Sequence, residues 1–243
     1  MLKKIKSDYM DRMVQAASFC AAGAERNRLY DIFIKNSDGS IHKWHHYFQI
    51  YHRHFSKYVG RKANILEIGV FRGGSLKMWK KYFGRKATIY GLDIDPAAMR
   101  YADPKNGIHV FIGDQSDRAF MRDLMEKLPK IDIVIDDGGH TTKQQINTFL
   151  ECYGKMADDG VYCCEDLHTN YWPDWIDSSE TFIDFAKRHI DYLNYWFWDN
   201  NVMYSEPKAK VPEFTRVTHS ICFYNSIIVF EKQRVSEPHS ECR

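Results

Sequence analysis

The stretch Ile131–His140, IDIVIDDGGH, decides the fold, because a run of apolar and β-branched residues ends there abruptly in carboxylates. A second stretch, Val161–Leu167 (VYCCEDL), contains the acidic pair Glu165 and Asp166 at its end. Continuous apolar runs are typical of strands in a parallel sheet buried on both faces, and ligands bind beyond the carboxyl ends of such strands. The two stretches therefore predict an α/β fold with carboxylates and an imidazole at one edge of the sheet. Such a group can hold a divalent cation beside a proton acceptor, which indicates metal-assisted chemistry.

Strand and helix patterns alternate around these stretches, which is typical of parallel βαβ units with right-handed crossovers. The predicted strands are 64–68, 88–92, 109–112, 131–135 and 160–164, and the predicted helices are 75–83, 96–101, 117–127, 141–153 and 179–189. Two further predicted strands, 217–224 and 226–231, have almost nothing between them, which predicts an antiparallel hairpin. Helices predicted at 7–23 and 41–58 precede the alternating part.

Composition argues against several classes of function. The 243 residues suit one α/β domain with extensions, and the net charge of +2 provides no basic field, so we expect no nucleic-acid partner. No apolar run approaches the roughly 20 residues that span a bilayer, and residues 1–25 lack the apolar part of a signal peptide. We therefore expect a cytoplasmic protein without a membrane span. The six cysteines form no CxxC pair, and His45, His46, His52 and His54 are scattered around a predicted helix, so neither set predicts a zinc site.

The loop after the first predicted strand is rich in glycine and follows an acid, in the pattern ExGxxxGGS over residues 67–75. A dinucleotide-binding GxGxxG loop would need glycine where this chain has Phe71. A nearby carboxylate disfavours a pyrophosphate but favours the cationic methionine end of S-adenosylmethionine. The pattern resembles motif I of the class I S-adenosylmethionine-dependent methyltransferases. This resemblance implies a Rossmann-like α/β fold with a mostly parallel seven-stranded sheet, a terminal antiparallel hairpin and an N-terminal helical extension.

The same resemblance assigns seven residues to S-adenosylmethionine, namely Glu67, Gly69, Ser75, Asp93, Asp114, Gln115 and Asp136. Asp93 matches the ribose-binding acid, since a carboxylate can accept hydrogen bonds from both ribose hydroxyls. Asp95 lies two residues further on the same face and is the alternative, although an acid before Pro96 also suits a helix N-cap. Asp114 matches the adenine-contacting position. Asp136 either contacts the cofactor or caps the following helix.

A more specific resemblance covers most of the chain. The segments that carry it are DDGGH at 136–140, EDLHTNYW at 165–172, GSIHKWHHYFQIYHRHF before the core, and SICFYNSIIVFEK near the end. They resemble the metal-dependent sugar O-methyltransferases that methylate deoxysugars on macrolides such as mycinamicin. The resemblance implies that Asp137, Glu165 and Asp166 ligate Mg²⁺ or Mn²⁺ and that His140 is the general base.

The resemblance also implies a division of the chain. Residues 1–60 would form a helical extension that serves as a substrate lid, and residues 61–243 would form the catalytic domain. In the resembling family the segment before the core covers the active site and takes part in oligomer contacts. We therefore expect a homo-oligomer in which this segment can complete a neighbouring subunit's site.

The residue types suit this chemistry. Mg²⁺ prefers oxygen ligands and keeps open positions, which two vicinal hydroxyls of a small-molecule or glycan acceptor can fill. The ion lowers the pKa of the bound hydroxyl, an imidazole removes the proton, and the alkoxide attacks the sulfonium methyl. We therefore predict an O-methyltransferase that acts on a sugar hydroxyl of a glycosylated natural product or a polysaccharide precursor.

Several alternatives are open at this point. A catechol or another aromatic diol presents the same pair of oxygens to a metal ion. The family of cephalosporin hydroxylases shares the strand-end pattern, and a degenerate methyltransferase fold could serve as a scaffold without activity. His140 could be a residue that merely caps the next helix and takes no part in catalysis. His168 suits a second base or a substrate-binding loop. Tyr171 and Trp172 suit stacking on a sugar ring or simple packing.

Overall fold

The computed structural model describes residues 26–37, 39–197 and 211–243. The helix predicted at 7–23 lies outside these residues. In the described part of the chain, no helix combines the length and the apolar character needed to cross a membrane.

Seven strands of the described residues form one sheet. In chain order they are β1 (Asn64–Ile68), β2 (Thr88–Asp93), β3 (Ile108–Ile112), β4 (Ile133–Asp136), β5 (Val161–Cys164), β6 (Thr218–Tyr224) and β7 (Ile227–Lys232). Their order across the sheet is β3-β2-β1-β4-β5-β7-β6, with β1 to β5 parallel and β7 antiparallel to both β5 and β6. The predicted mostly parallel seven-stranded sheet with a terminal antiparallel hairpin is therefore confirmed.

Helices connect the strands and cover both faces of the sheet. They are α1 (Arg28–Ile34), α2 (Tyr47–Phe55), α3 (Gly74–Phe83), α4 (Arg118–Lys127), α5 (Thr142–Cys152), α6 (Phe182–Leu193) and α7 (Glu213–Val217). Short 3₁₀ helices occupy Ser56–Tyr58, Pro96–Tyr101, Pro104–Asn106, Tyr153–Lys155, Leu167–Tyr171, Pro173–Trp175 and Tyr195–Phe197. Each helix predicted in the alternating part is present, but the one at 96–101 is a 3₁₀ helix.

The segment before β1 differs from its prediction in two ways. The apolar pattern predicts a helix from residue 41, but α2 begins at Tyr47, and residues 41–44 are neither helix nor strand. Lys43 in this loop makes buried ion pairs at the edge of the sheet, a tertiary contact that overrides the local preference for helix. Helix α1 is not predicted from the sequence. Its N-cap is Asn27, whose side chain accepts a hydrogen bond from the backbone of Tyr30 at 3.0 Å.

Two clusters of buried residues hold the helices against the sheet. One cluster contains Leu29 from α1, Tyr51 from α2 and Trp79 from α3, and the rings of the last two meet edge to face at 5.2 Å. The cluster on the other face contains Phe149 from α5 and Phe182 from α6. Burying side chains of this size stabilises a fold by about 1.5–3 kcal/mol each. The described part of the extension therefore shares its core with the sheet, while the division of the chain at residue 60 stays a prediction.

The strand order changes direction at β1, which pairs with β2 on one side and with β4 on the other. Ligands of α/β proteins bind at such a switch point, beyond the carboxyl ends of the strands. The loops after β1 and β4 touch here, because the backbone N–H of Asp137 donates to the carbonyl of Ile68 at 3.0 Å. Gly69 has φ +93°, and a Cβ at this position would collide with the carbonyl oxygen of Asp137. Glycine is therefore required where the two loops meet.

Candidate active site

A cavity of about 450 Å³ opens at this edge of the sheet, a volume within the usual range of ligand pockets. Its wall consists of the loops that follow β1 to β5 together with residues 40–44 before α2. Most of the predicted site residues line it, namely Gly69, Ser75, Asp93, Asp114, Gln115, Asp137, His140, Glu165 and Asp166. Glu67 and Asp136 lie behind this wall.

Three acids and one histidine come together at the ends of β4 and β5. The last residues of these two strands are register neighbours, so Asp137 and Glu165, which follow them, lie side by side. Nε2 of His140 is 3.8 Å from Asp137 Oδ1 and 3.7 Å from Asp166 Oδ2. Ligand atoms of Asp137, His140 and Asp166 all lie within 4.8 Å of one another, close enough for one cation to bridge them.

Two of these residues adopt a backbone conformation that side chains disfavour. His140 has φ 60° and Asp166 has φ 54°, both in the left-handed region. Such a conformation costs on the order of 1–3 kcal/mol and persists where its surroundings impose it, commonly at functional sites. Here the hydroxyl of Tyr47 donates to Asp166 Oδ1 at 2.8 Å, and the hydroxyl of Thr169 donates to the carbonyl of His140 at 2.9 Å. The N-cap of α5 is Thr141, so His140 is free of the capping role that was its alternative.

Lys43, which was not predicted as a site residue, lies at the centre of the acids. Its Nζ donates to Asp137 Oδ2 at 2.5 Å and to Glu165 Oε2 at 2.8 Å, and is 3.9 Å from Glu67 Oε1. Burial alone would lower the pKa of Lys43, but the three carboxylates outweigh it and hold the pKa well above its usual value. The ammonium is therefore charged. No local pattern reveals it, because Asp137 and Glu165 are 94 and 122 residues away in the sequence.

Glu165 is fully buried, and its two oxygens have different surroundings. Oε2 accepts from Lys43, whereas Oε1 has no hydrogen-bond partner among the described residues, and the same is true of the buried hydroxyl of Tyr51. Burial raises the pKa of Glu165 well above its usual value, although Lys43 opposes this. Burial also raises the pKa of Tyr51, and the nearby carboxylate of Glu165 raises it further. Oε1 thus remains available to a cation or a proton.

Glu67 supports the cavity from behind. Its carboxylate accepts a hydrogen bond from Ser75 Oγ at 2.8 Å and another from Trp79 Nε1 at 2.9 Å. Burial raises the pKa of Glu67 to about 7, although Lys43 lowers it. The side chain of Glu67 therefore lies in the core and holds Ser75 at the start of α3, and its contact with the cofactor stays a prediction.

Asp136 also lies in the core, behind the wall of the cavity, and its contact with the cofactor stays a prediction. Its Oδ1 accepts from Gln115 Nε2 at 3.0 Å and its Oδ2 accepts from the hydroxyl of Tyr162 at 3.1 Å. Burial raises the pKa of Asp136 to about 7, although these hydrogen bonds lower it. Successive side chains of a strand point to opposite faces, so Asp136 turns inward where Asp137 reaches the cavity. Gln115 also accepts from the backbone of Gly139 at 2.7 Å, so protein groups engage its amide on both sides.

The acids on the opposite side of the cavity hold backbone amides. Asp93 Oδ2 accepts from the backbone N–H groups of Val70 and Phe71 at 2.8 Å each, and Oδ1 accepts from that of Asp95 at 2.9 Å. A carboxylate has about four lone-pair positions, so Asp93 keeps acceptor capacity for a ligand. Asp95 caps the 3₁₀ helix that follows it, which was its alternative role. Asp114 accepts from the backbone amide two residues further on at 2.7 Å.

A family model described as a methyltransferase domain matches residues 66–167, which run from β1 to the acids after β5. The strand order, the glycine loop after β1 and the acidic cavity agree with this match. The chain therefore has the class I methyltransferase fold, and its residues 66–167 match a methyltransferase domain.

More particularly, the protein resembles sugar O-methyltransferases of the mycinamicin type, as predicted. The 8-demethyl-8-alpha-L-rhamnosyl tetracenomycin-C 2'-O-methyltransferase of Streptomyces olivaceus is 38% identical over 166 residues, which cover 63% of this chain and 43% of the relative. Mycinamicin VI 2''-O-methyltransferase of Micromonospora griseorubida is 32% identical over 200 residues, 77% of this chain and 48% of the relative.

A solved structure supports the same resemblance. MycE methyltransferase from the mycinamycin biosynthetic pathway, in complex with Mg and SAH, matches with a TM-score of 0.73 and 28% identity. The match covers 87% of this chain and 56% of MycE. The chain spans about half the length of the curated relatives it matches.

Proposed function

We propose that the protein is an S-adenosylmethionine-dependent and Mg²⁺-dependent O-methyltransferase that acts on a sugar hydroxyl of a glycosylated natural product or a polysaccharide precursor. The observation that carries the proposal is the grouping of Asp137, His140 and Asp166 in one cavity, with ligand atoms within 4.8 Å of one another. The relatives support the class of reaction, because they are named as O-methyltransferases of rhamnosyl tetracenomycin C and of mycinamicin VI.

The cofactor side of the cavity suits S-adenosylmethionine. Gly69, Ser75, Asp93 and Asp114 line it, and they combine a glycine loop with carboxylates that keep free acceptor positions. The MycE structure that this chain resembles was solved with SAH, which supports the assignment. We propose that these four residues hold the cofactor. Gln115, Glu67 and Asp136 would support it indirectly, through their hydrogen bonds to the wall.

The metal side suits Mg²⁺ or Mn²⁺ by the type and position of its donors. Asp137 and Asp166 each direct an oxygen toward His140, and Glu165 has a buried oxygen without a partner in the described part of the chain. Hard divalent ions prefer carboxylate oxygens. We propose Asp137, Glu165 and Asp166 as the ligands.

His140 is placed to accept the proton of the acceptor hydroxyl. Burial lowers the pKa of His140, although Asp137 and Asp166 oppose this, so the neutral imidazole predominates near pH 7. When bound, Mg²⁺ lowers the pKa of the hydroxyl and S-adenosylmethionine supplies the methyl group. The carboxylates 3.8 and 3.7 Å from Nε2 would then stabilise the imidazolium that the proton transfer leaves.

An aromatic wall beside His140, made of Trp44, His168, Trp172 and Trp175, suits an acceptor ring. Neighbouring rings along the wall lie 5.9, 4.8 and 6.4 Å apart, and the last ring is 6.1 Å from that of His140. Trp44 is 50% exposed and Trp172 is 48% exposed, so both can give up water-exposed apolar surface to a ligand. We propose that this wall binds the acceptor and that His168 belongs to the substrate-binding surface.

A methyl-transfer assay with a panel of glycosides tests the proposal. We expect that a chelator abolishes turnover and that Mg²⁺ restores it. The variant His140→Ala should lose activity while calorimetry shows unchanged binding of S-adenosylhomocysteine, and the exposed His219→Ala serves as the matched control. Full turnover in the presence of chelator, or an active His140→Ala, would contradict the mechanism.

Aromatic diols are the second candidate acceptors, because the aromatic wall can stack on a catechol as well as on a sugar. The same assay with glycosides and catechols side by side separates them by kcat/KM. Absence of methyl transfer to either class would favour a cephalosporin-hydroxylase-like activity or a scaffold.

We further propose that residues 1–60 act as a substrate lid on a catalytic domain of residues 61–243, in a cytoplasmic homo-oligomer.

A further inference from the structure

Lys43 is a buried cation that the proposed methyl transfer does not use. Its ammonium lies 2.5 Å from Asp137 Oδ2 and 2.8 Å from Glu165 Oε2, and its side chain is 2% exposed. We propose that Lys43 is a positioning residue: a fixed counter-ion that fastens the loop before α2 to the ends of β4 and β5 and moderates the charge that a metal ion meets there.

Charge balance is the first reason. Glu67, Asp137 and Glu165 all have an oxygen within 4.0 Å of Nζ, and two of them, Glu67 and Glu165, are fully buried. A buried carboxylate without a partner is strongly destabilising, whereas a hydrogen-bonded ion pair offsets much of that cost. The metal-free protein therefore needs a cation at this point, and Lys43 provides one permanently.

The orientation of Asp137 is the second reason. Lys43 engages Oδ2, and the other oxygen, Oδ1, faces His140 Nε2 at 3.8 Å. A carboxylate held at one oxygen cannot turn freely, so the free oxygen stays directed at the place where Asp166 and His140 converge. The residue after Lys43 is Trp44, which stands in the aromatic wall, so the same ion pairs also place the first ring of the acceptor surface.

Lys43 should also affect metal binding, an effect that rests on the proposed function. Lys43 and a bound ion would share the carboxylate of Asp137, and two cations on one carboxylate repel each other. Removing the ammonium removes this repulsion, and a bound ion would itself hold Asp137, which the ammonium orients only while no ion is bound. Metal binding should therefore become stronger, by about tenfold if the two charges are a few Å apart in a partly screened environment. It should also destabilise the metal-free protein.

Thermal unfolding of the chelator-treated full chain tests the counter-ion role. Lys43→Met should lower Tm by about 10 °C, because it leaves buried carboxylates unpaired. The control is Lys57→Met, an exposed lysine whose Nζ donates to the carbonyl of Asp159, and it should stay within about 2 °C of the wild type. The double variant Lys43→Met/Glu165→Met should recover at least half of the loss, because both charges of the pair are gone.

If Lys43→Met does not fold at all, a Lys43→Met/Glu165→Met variant that does fold would still show that the loss comes from the unpaired carboxylate. A double variant as unstable as Lys43→Met, or a Lys43→Met that melts with the wild type, would overturn the proposal, since either outcome reduces Lys43 to a packing residue.

Calorimetry with Mn²⁺ alone, without cofactor or acceptor, tests the second part. Lys43→Met should bind Mn²⁺ about tenfold more tightly than the wild type. An unchanged or weaker affinity would overturn the charge argument. Neither measurement uses methyl transfer. If the protein methylates no acceptor, the proposed function is wrong, but the thermal unfolding of the Lys43 variants still tests the counter-ion role.

Discussion

The two sides of the cavity hold their acids in different ways. On the proposed cofactor side, Asp93 and Asp114 accept hydrogen bonds from backbone amides. On the proposed metal side, Asp137 and Glu165 accept from the side chain of Lys43. The backbone partners of Asp93 and Asp114 lie 2 to 23 residues away in the sequence, whereas Lys43 lies 94 and 122 residues from its two acids.

The difference shows how each side is built. The cofactor side is completed by loops of the βαβ units themselves, and a backbone amide is present whatever the side chain. The metal side is completed only when the segment before β1 packs on the sheet and supplies Lys43 and Tyr47. We therefore expect the metal side to be more sensitive to single substitutions, and four experiments test that expectation.

Asp137→Asn should have the largest effect, because it removes one negative charge from both the metal ion and Lys43. We expect kcat/KM to fall by about a thousandfold or more, corresponding to several kcal/mol of lost charge stabilisation. Mn²⁺ binding, followed by calorimetry, should be lost as well. Asp123→Asn, an exposed acid on α4, is the control and should keep full activity. A loss of less than tenfold in Asp137→Asn would remove Asp137 from the metal site.

The pH profile of kcat/KM should report the titration of His140. Burial lowers the pKa of His140 from its usual 6.5, and only the neutral ring can accept a proton. Activity should therefore rise with pH through a midpoint below 6.5 and stay level above it. His140→Ala should lose about 10²–10⁴-fold in rate together with this midpoint. The same midpoint in His140→Ala would assign the titration to another group.

Two neighbouring acids distinguish ligand binding from capping on the cofactor side. Asp93→Ala should raise the Kd of S-adenosylhomocysteine by about 10–100-fold, because it loses charged hydrogen bonds to the loop and to the ligand. Asp95→Ala should lose only a cap, worth about 1 kcal/mol of stability, and leave the Kd within about threefold. Calorimetry of both variants decides, and a larger change in Kd for Asp95→Ala would make Asp95 the ribose-binding acid.

Tyr47→Phe should have the smallest effect. The substitution removes the hydrogen bond to Asp166 Oδ1 but changes no charge. We therefore expect kcat/KM to fall by about fivefold, equivalent to about 1 kcal/mol. Tyr192→Phe, at a position 38% exposed that does not line the cavity, is the matched control. Equal activities of the two variants would show that the extension does not position the acid.

Much of the fold was predictable from local patterns. The strands after residue 60 begin and end within two residues of their predicted bounds, because runs of β-branched residues between turn residues act over short distances. The acids at the ends of β4 and β5 were predictable for the same reason. The start of α2 was not, because the ion pairs of Lys43 hold residues before Tyr47 out of the helix that their apolar pattern predicts.

The adjacent acids Asp136 and Asp137 show which feature of the site could not be predicted from the sequence. Asp136 and Asp137 are chemically alike and follow the same apolar run, yet one is hydrogen-bonded in the core and the other faces the cavity. Alternation along a strand predicts that their directions differ. It does not predict which of the two reaches the cavity, because this depends on where β4 ends relative to its neighbours.

The sequence by itself determined the sheet, its terminal hairpin and the acids that stand at its edge, because these follow from patterns a few residues long. Only the tertiary structure decided which carboxylates reach the cavity and which groups hold them. Lys43 and Tyr47 meet their acids across 94 to 122 residues of chain, and such contacts form through the packing of the extension on the sheet, which no local pattern encodes.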